Sequence, residues 1–424
     1  MRRSILATGI VAGLALALSA CGGTTTPTPA ASSGQPSPST SPSDGPVVRD
    51  ANADLVIWSD DKRAPALQAA AEEFAKAQGI KIAVQAVSKD LQTNFVTANQ
   101  AGNGPDIVLG AHDWIGNMVQ NSAISPIQIP AATASLLSPV ALKAVQFNGQ
   151  GYGAPYAVET IGLYRNNKLT TVEPKTIEEM VKAAKDSKSE NPLCLPVGQE
   201  GDAYHMQPIF TSGGGYLFKM SADGSYDPKD MGVGKPGSIE AAKKISALAK
   251  DGVLKTSIEG SNNISLFTEG KCAYMISGPW ALADLTKANV DFALMPIPGF
   301  QGGQPAQAFT GVQAMFIASK AKNKTVAEAF VNEALTSETI QTALYKVDPR
   351  PPALIALNTK LAAENANIAK FGELAEKGAP MPNIKEMAAI WGPLGKAEAA
   401  IVGGADPTST MTSAGDAITK ALAG

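Results

Sequence analysis

The sequence predicts an α/β protein with mostly parallel sheets, and three observations lead to that fold class. Residues 54–86 show a strand–helix–strand pattern, two further helix starts carry a capping signal, and short apolar runs separate the helices along the chain. This alternation of strands and helices is typical of α/β folds, because helices then cover the faces of a largely parallel sheet. We therefore expect repeated strand–helix–strand units.

The strand–helix–strand pattern is read from its apolar periodicity. Residues 55–58 form a short apolar run, and residues 80–87 alternate so that every second side chain is apolar. Between them, apolar residues recur at helical spacing from Leu67 to Phe74, and Gly79 is placed to end the helix.

The other elements follow from caps and from short apolar segments. Helix starts are predicted where Thr is followed three residues later by Glu, at Thr176 to Glu179 and at Thr325 to Glu328. Strand-like apolar runs separate the helices at 106–109, 193–197, 272–276, 291–296 and 312–318.

Composition narrows the function classes. A chain of 424 residues is long enough for two or three compact units. Its net charge of −3 argues against a nucleic-acid partner. With two His and three Cys, the chain offers little for a transition-metal site, so we expect no metal and no cofactor. Phosphate-binding glycine motifs, GxSxG, HExxH and CxxC are all missing, which removes sequence support for the enzyme classes that carry them.

The N-terminus predicts export. Residues 1–20 look like a signal peptide, with Arg2 and Arg3 before an apolar stretch at 5–18 that is too short to span a bilayer. The segment that ends in Cys21 resembles the lipobox of bacterial lipoproteins, which implies cleavage before Cys21 and a diacylglyceryl group on its thiol. The expected location is the outer face of the bacterial cytoplasmic membrane. An ordinary secretory signal with a chance cysteine is the alternative.

A tether is expected to follow, over residues 21–53. From Gly22 to Pro46, Pro, Ser, Thr and Gly make up 21 of 25 residues. Such a segment has almost no apolar side chains to bury, so it is predicted to be disordered.

The two remaining cysteines, Cys194 and Cys272, each lie in a short apolar run. Outside the cytoplasm they could pair as a disulfide, and two buried free thiols are the alternative, because the sequence does not give their separation.

Six segments in order point to a known family: LVIWSDDKR (55–63), GPDIVLGAHDW (104–114), PYAVETIGLYRNNKL (155–169), GGYLFKMSADGSYDPKDMGV (214–233), ISGPWALADL (276–285) and MPNIKEMAAIW (381–391). From about residue 54 onward the chain resembles the maltose-binding protein family, the solute-binding subunits of carbohydrate ABC transporters. The resemblance implies a periplasmic-binding-protein-like fold of type II, with two α/β lobes joined by a hinge and sugar bound in the cleft between them.

The resemblance also implies how the chain divides. One lobe would hold residues 54–157 and 315–360, and the other residues 165–309 and 367–424. A cleft at this position agrees with the physics of open α/β sheets, where ligands bind beyond the carboxyl ends of strands.

The matched segments imply a set of ligand-binding residues. Carboxylates and other polar groups would bind sugar hydroxyls, and flat aromatic rings would cover sugar faces. The implied contacts are Asp61, Lys62, Ala111, Asp113, Trp114, Glu159, Glu200, Tyr204, Trp280, Met381 and Trp391.

Each contact has a structural alternative. Asp61 and Lys62 could be a solvated turn pair, Glu159 could belong to an ion pair between the lobes, and Trp280 and Trp391 could be core residues. His112 is expected to be structural, and Trp58 is expected to be core.

Four positions depart from the family's type member, and they bear on the substrate. Gly110 stands where that protein has a tryptophan, Trp114 where it has an arginine, Gly392 where it has a tyrosine and Gly395 where it has an arginine. We expect an α-glucan such as maltose or a maltodextrin. Trehalose or another di- or oligosaccharide remains open.

The implied mechanism is capture by closure of the lobes, followed by delivery to a membrane permease that is driven by a separate ATPase. A monomer and no bond cleavage are expected. Three alternatives remain. One is a secreted glycoside hydrolase that uses two of the carboxylates Asp61, Asp113, Glu159 and Glu200. The others are a binder of another solute, such as a metal chelate, peptide or polyamine, and a sensor that hands its closed form to a receptor.

Overall fold

A computed structural model describes residues 48–221 and 225–423. The predicted signal peptide, Cys21 and residues 21–47 of the predicted tether lie outside the described residues. Residues 48–53, predicted as the end of the tether, instead contact the folded body. Arg49 is buried and pairs with the buried carboxylate of Asp106 at 2.5 Å. A buried carboxylate is stable only with such a partner, so the body needs this part of the chain.

The strands are β1 (Leu55–Ser59), β2 (Ile82–Ala86), β3 (Ile107–Ala111), β4 (Gln146–Phe147), β5 (Gln150–Gly151), β6 (Gly153–Glu159), β7 (Gly162–Asn166), β8 (Asn191–Cys194), β9 (Phe218–Met220), β10 (Tyr226–Met231), β11 (Cys272–Ser277), β12 (Phe292–Met295), β13 (Phe309–Ile317) and β14 (Ala379–Pro380).

The helices are α1 (Arg63–Gln78), α2 (Leu91–Ala101), α3 (Ile115–Gln120), α4 (Ala131–Ala134), α5 (Pro139–Ala144), α6 (Ile177–Asp186), α7 (Ala203–Ser212), α8 (Pro236–Lys250), α9 (Asn263–Thr268), α10 (Leu282–Lys287), α11 (Lys324–Thr336), α12 (Glu338–Val347), α13 (Ile355–Glu364), α14 (Ala366–Lys377), α15 (Trp391–Val402) and α16 (Pro407–Ala423).

Two larger sheets organise these elements. A six-stranded sheet has the order β14-β13-β3-β1-β2, with β6 also paired to β13, and a four-stranded sheet has the order β12-β7-β11-β8. The α/β class is as predicted, but the sheets are mixed rather than mostly parallel. Strands β1, β2 and β3 run parallel, whereas β13 runs antiparallel to both β3 and β6, and β7 runs antiparallel to β11 and β12.

The chain path explains the mixed sheets. Strand β6 ends at Glu159, and after two residues β7 begins the four-stranded sheet; β13 makes the return crossing. Strand β13 enters the six-stranded sheet at the edge where β3 and β6 end. It therefore runs antiparallel to both of them. The boundaries of the two lobes stay a prediction, and β14, from the range assigned to the second lobe, pairs with β13 of the six-stranded sheet.

Each sheet is covered on both faces by apolar clusters. Leu55 and Ile57 point into one cluster and Val56 and Trp58 into another, because successive strand residues alternate between faces. The four-stranded sheet repeats the arrangement with its own two clusters. All four clusters lie between residues 55 and 418, so a protein of residues 48–424 carries its complete core.

Helix starts test the capping predictions. The Thr176 side chain accepts a hydrogen bond from the Glu179 N–H at 3.2 Å, as predicted. The second prediction is wrong, because α11 already begins at Lys324 and Asn323 takes the N-cap position. Among the helices of the described residues, none combines the length and apolar character that a membrane crossing requires.

Glu398 is an acidic residue on α15 whose side chain lies in the protein core. It is 1% exposed, and both of its carboxylate oxygens lack a hydrogen-bond partner. Burial raises the pKa of Glu398 well above its ordinary value, and the negative charge of Asp202 adds to the rise. The fold therefore favours the neutral acid of Glu398 over its carboxylate.

We expect the free energy of unfolding to fall as pH rises above the unfolded value of Glu398, about 4.3, toward its folded pKa. The folded state binds the proton more tightly than the unfolded state, so the stabilisation is present at low pH and is lost as pH rises. Glu398→Gln removes this pH-dependent contribution to the free energy of unfolding, because glutamine does not titrate. Urea unfolding at several pH values should show the wild type losing stability relative to Glu398→Gln, while the exposed Glu376→Gln follows the wild type. Parallel pH curves for wild type and Glu398→Gln would contradict this prediction.

Candidate functional site

A cleft of about 470 Å³ lies where strand ends from the two sheets face each other. It combines aromatic, acidic and basic side chains. The residues that line it are Asp60, Lys62, Arg63, Ala111, Asp113, Trp114, Glu159, Tyr204, His205, Trp280, Asp348, Arg350, Met381 and Trp391.

Strand ends place the main polar and aromatic groups. Asp60 follows β1, Glu159 is the last residue of β6, and a short 3₁₀ helix after β3 carries Asp113 and Trp114. From the other sheet, Trp280 lies in a 3₁₀ turn directly after β11. Because these ends converge, residues far apart in sequence form one site.

Glycines give two of the indoles their position. A Cβ added at Gly110 would lie 2.1 Å from the ring of Trp114, and a Cβ added at Gly278 would lie 2.1 Å from the ring of Trp280. Each ring therefore rests against bare backbone at the end of its strand. Gly110 is one of the departures from the family pattern. Because it has no side chain, it leaves the space that the Trp114 ring occupies.

Aromatic rings line the side of the cleft formed by the four-stranded sheet. Tyr204 lies 6.3 Å from Trp280 and stacks on Phe309 at 6.2 Å, and Phe309 meets Trp391 edge-on at 6.2 Å. His205 contacts Trp280 edge-on at 5.9 Å. The half-buried rings of Trp280 and Trp391 offer apolar faces to a ligand in the cleft.

A ring of ion pairs and hydrogen bonds forms the other side. Arg350 pairs with Glu159 and with Asp348, and Arg63 lies 4.0 Å from Asp348. Gln313 closes the ring: it accepts from Arg63 Nη1 at 2.9 Å and donates to Glu159 Oε1 at 3.0 Å. Burial alone would raise the pKa of Glu159, but the charge and hydrogen bond of Arg350 outweigh it, and the net effect lowers that pKa.

Arg350 also links this ring to the opposite side of the cleft. Its guanidinium carbon lies 5.2 Å from the centre of the Trp280 ring, a cation–π distance. In this contact one face of the Trp280 indole is turned toward Arg350, which fixes the orientation of the indole.

Three buried polar atoms of the cleft have no hydrogen-bond partner. They are Asp113 Oδ1, Tyr204 Oη and His205 Nε2. A buried polar atom without a partner destabilises the fold by about 1–3 kcal/mol, and a ligand that hydrogen-bonds to these three atoms would recover that loss. These atoms are the strongest sign that a polar ligand completes the cleft.

Comparison with known proteins places the chain. A family model described as "Bacterial extracellular solute-binding protein" matches residues 69–375, well over half of the sequence. The chain belongs to this family. The predicted solute-binding family and the two-lobe α/β fold are thereby confirmed.

Three relatives of this solute-binding protein are named for oligosaccharides. The chain is 28% identical over 374 residues to "Galactooligosaccharide-binding protein" of Bacillus subtilis (strain 168), covering 86% of this chain and 88% of that protein. It is 27% identical over 347 residues to "Maltotriose-binding protein" of Pyrococcus abyssi (strain GE5 / Orsay), covering 80% and 75%. It is 26% identical over 354 residues to "Maltooligosaccharide ABC transporter solute-binding lipoprotein" of Streptococcus pneumoniae (strain ATCC BAA-255 / R6), covering 80% and 82%.

The cleft of the solute-binding protein brings together most of the predicted contacts. These are Lys62, Ala111, Asp113, Trp114, Glu159, Tyr204, Trp280, Met381 and Trp391.

Asp61 and Glu200 do not line the cleft. Asp61 is exposed and accepts a hydrogen bond from Ser88 Oγ at 2.9 Å. The Glu200 side chain is 81% exposed and pairs with Lys396 at 3.1 Å. Their role in ligand binding stays a prediction.

Sequence reasoning missed Asp60, Arg63, His205, Asp348 and Arg350. Asp60 and His205 are immediate neighbours of predicted contacts, so a search one residue to either side would have found them. Arg350 follows Asp348 and Pro349 in a proline-rich segment after α12. Only its position, next to Glu159, identifies it.

His112 is structural, as predicted. The buried ring donates from Nε2 to the Met381 carbonyl and accepts at Nδ1 from the Val312 N–H, both at 3.1 Å. Burial lowers the pKa of His112 to about 4, so the ring is neutral and keeps this tautomer. It fixes the segment that carries Met381 against β13.

Two other sequence questions concern cysteines and metals. In the structure Cys194 and Cys272 form a disulfide between β8 and β11, with Cα atoms 5.8 Å apart. Within residues 48–221 and 225–423, no cluster of three or more His, Cys, Asp or Glu is placed to hold a metal ion.

Proposed function

We propose that this protein is the solute-binding subunit of a carbohydrate ABC importer and that its cleft captures malto-oligosaccharides. The observation that carries the proposal is the pairing of aromatic faces on Trp280 and Trp391 with the unpartnered polar atoms of Asp113, Tyr204 and His205. A sugar ring presents weakly polar faces and a rim of hydroxyls, which matches both features.

Capture works by closure. Asp113 and Glu159 extend from the six-stranded sheet, whereas Trp280 and Tyr204 belong to elements packed on the four-stranded sheet. A sugar that contacts both groups binds the closed arrangement more tightly than an open one, and this difference in affinity drives closure. The strands that cross between the sheets, β6 to β7 and β13, are the expected hinge.

The wider setting follows from the sequence. In this proposal the protein is a monomer that is exported from the cell. The lipid on Cys21 then holds it at the outer face of the cytoplasmic membrane. It hands the sugar to a permease that a separate ATPase drives. The pneumococcal relative's name, a lipoprotein of an ABC transporter, supports this setting.

The sugar itself is the finer part of the proposal. Two of the relatives are named for malto-oligosaccharides and one for galacto-oligosaccharides, at similar identity. We favour malto-oligosaccharides because the matched cleft segments resemble the maltose-binding family, and we keep galacto-oligosaccharides and trehalose as named competitors.

Binding without hydrolysis is part of the proposal. Glycoside hydrolysis needs two carboxyl groups free to act on the sugar. Both oxygens of Glu159 are occupied, Oε1 by Gln313 and Oε2 by Arg350. Glu159 therefore orients other residues. Asp113 keeps an unpartnered Oδ1 atom, although the Trp391 side chain hydrogen-bonds to its carboxyl group.

Isothermal titration of residues 48–424 tests the proposal. Maltotriose is expected to bind one site saturably and more tightly than a galactosyl-lactose trisaccharide or trehalose. Chromatography of the same samples after prolonged incubation should show intact sugar. Tighter binding of the galactosyl-lactose trisaccharide would change the assigned sugar from malto-oligosaccharides to galacto-oligosaccharides. If no sugar bound, or if a sugar were cleaved, the proposal would be overturned.

Asp113 makes binding depend on pH. Burial raises the pKa of Asp113 to about 7, and the negative charge of Glu159 adds to the rise. The ionised carboxylate accepts a sugar hydroxyl more strongly than the neutral acid does. We therefore expect maltotriose affinity to increase about three- to tenfold from about pH 6 to about pH 8.

Asp113→Asn should flatten this pH profile, because an amide does not titrate in this range. Asp416→Asn, the same change at an exposed residue of α16 outside the cleft, should keep the wild-type profile. A pH profile that persists in Asp113→Asn would assign the titration to another group.

A further inference from the structure

A second cavity of about 510 Å³, here called the rear cavity, has Phe309 in its wall. The neighbours of Phe309, Tyr204 and Trp391, line the cleft. Phe309 itself is 2% exposed, and no residue lines both spaces. We therefore treat the rear cavity as a space distinct from the cleft.

A buried amide in the wall of the rear cavity lacks a partner. Gln207 lies on α7, one turn after Tyr204, and is 5% exposed. Its Oε1 atom has no hydrogen-bond partner although it is buried. The fold gains nothing from a buried amide oxygen without a partner, so the wall is suited to a ligand that donates a hydrogen bond.

The remaining wall is largely aromatic; the partly buried carboxylate of Asp230 is already paired, and Lys219 is exposed to solvent. The hydroxyl of Tyr216 donates to Asp230 at 2.8 Å, and the hydroxyl of Tyr226 donates to the Pro380 carbonyl. Asp230 also pairs with Lys235 at 2.5 Å. Since the hydroxyls and the carboxylate are engaged, the tyrosines present mainly ring surface. Gln307 lies exposed at the mouth.

We infer that the rear cavity is a second binding site, for a neutral hydroxyl-rich molecule of monosaccharide size. Buried amides both donate and accept, as sugar hydroxyls do, and aromatic rings cover sugar faces. The buried residues of the wall carry no charge, which favours a neutral ligand over an ionic one. A volume of about 510 Å³ lies within the range of small-molecule sites. The site does not depend on which solute the cleft takes.

Methionine methyl NMR separates the two spaces, because Met220 lines the rear cavity and Met381 lines the cleft. The experiment uses residues 48–424 labelled at the Met methyl groups, with the two signals assigned by Met220→Leu and Met381→Leu. The probes are glucose and galactose, added separately. A parallel titration in the Trp280→Ala background weakens the cleft and leaves the rear cavity untouched.

One of the two hexoses is expected to shift the Met220 signal saturably, in wild type and in Trp280→Ala alike. Gln207→Leu should weaken this binding about tenfold or more, because it removes the unpartnered amide at nearly constant volume. Gln307→Ala, at the exposed mouth, should weaken it as well and decides the matter if Gln207→Leu does not fold. Gln341→Leu is the matched control: it removes another buried glutamine with an unpartnered Oε1 atom that does not line the rear cavity, and it should bind the hexose as wild type.

The inference is overturned if the Met220 signal stays fixed with both hexoses, or if its shift is unchanged in both Gln207→Leu and Gln307→Ala. It is also overturned if the shift requires an intact Trp280, since the rear cavity would then extend the cleft. Maltotriose that moves Met381 while Met220 stays fixed would leave the proposed function standing and remove the second site.

Discussion

Trp280→Ala is expected to weaken maltotriose binding about 30- to 150-fold. The indole lies in the cleft, and its contacts with Gly278 and Arg350 set its position. Covering roughly 100 Å² of sugar at about 25 cal/mol per Å² gives about 2–3 kcal/mol, and each 1.4 kcal/mol is tenfold in Kd. Titration calorimetry measures this change directly.

The control for this prediction is an aromatic residue outside the cleft. Tyr152 is half-buried and packs against Phe147 with ring centres 6.5 Å apart. Tyr152→Ala should leave maltotriose affinity within about twofold of wild type, a difference of about 0.4 kcal/mol. Equal losses in Trp280→Ala and Tyr152→Ala would mean that the indole acts through stability and not through contact with sugar.

Arg350→Met is expected to lower the free energy of unfolding by about 3–5 kcal/mol, the cost of leaving a buried charge without its partner. The Arg350 and Glu159 side chains are only 14% and 7% exposed. Removing the guanidinium leaves Glu159 buried with Gln313 as its remaining polar contact. Urea or thermal unfolding of residues 48–424 measures the loss.

A double-mutant cycle tests whether the loss comes from the uncompensated charge. Glu159→Gln added to Arg350→Met should restore part of the stability, because the side chain at position 159 is then neutral while Asp348 still lacks its Arg350 partner. Lys182→Met breaks an ion pair of similar length, 2.6 Å, whose side chains are 78% and 66% exposed. It should change stability by no more than about 1 kcal/mol. If both single variants lose the same amount, burial of the Arg350 pair is not what matters.

The sequence could predict most of the cleft because the matched segments resemble the maltose-binding family and carry its contact residues. Asp113, Trp114, Glu159 and Trp280 all stand at or just after strand ends in the structure. The convergence of strand ends is a property of the fold class and explains why these residues meet. The apolar runs do not predict the strand that ends at Glu159, so the resemblance alone points to that residue.

Asp60 and Asp61 show where this reasoning stops. The Asp60 carboxylate accepts hydrogen bonds from the N–H groups of Lys62 and Arg63 at 3.0 Å and pairs with Arg63, while Asp61 turns outward to Ser88. Which of two adjacent acids faces the cleft depends on the turn that starts α1. Side-chain direction in a turn is not visible from composition or spacing.

The sequence misplaced Glu200 and missed Arg350 for a different reason. The positions of both residues depend on partners that are distant in sequence. A Cβ at Gly201 would lie 1.8 Å from the Gly395 carbonyl oxygen, so this loop packs directly on α15 and Glu200 is left outside. Gly395, a departure from the family pattern, is thus a packing partner of the loop. Arg350 meets Glu159 across 191 residues of sequence, a pairing that a single chain does not reveal.

The most direct measurement is a crystal structure of residues 48–424 grown with maltotriose. We predict a glucose ring between Trp280 and Trp391, with one hydroxyl at hydrogen-bond distance from Asp113 Oδ1 and others meeting Tyr204 Oη or His205 Nε2. A sugar bound elsewhere, with these three atoms still lacking partners, would contradict the assignment of the cleft as the solute site.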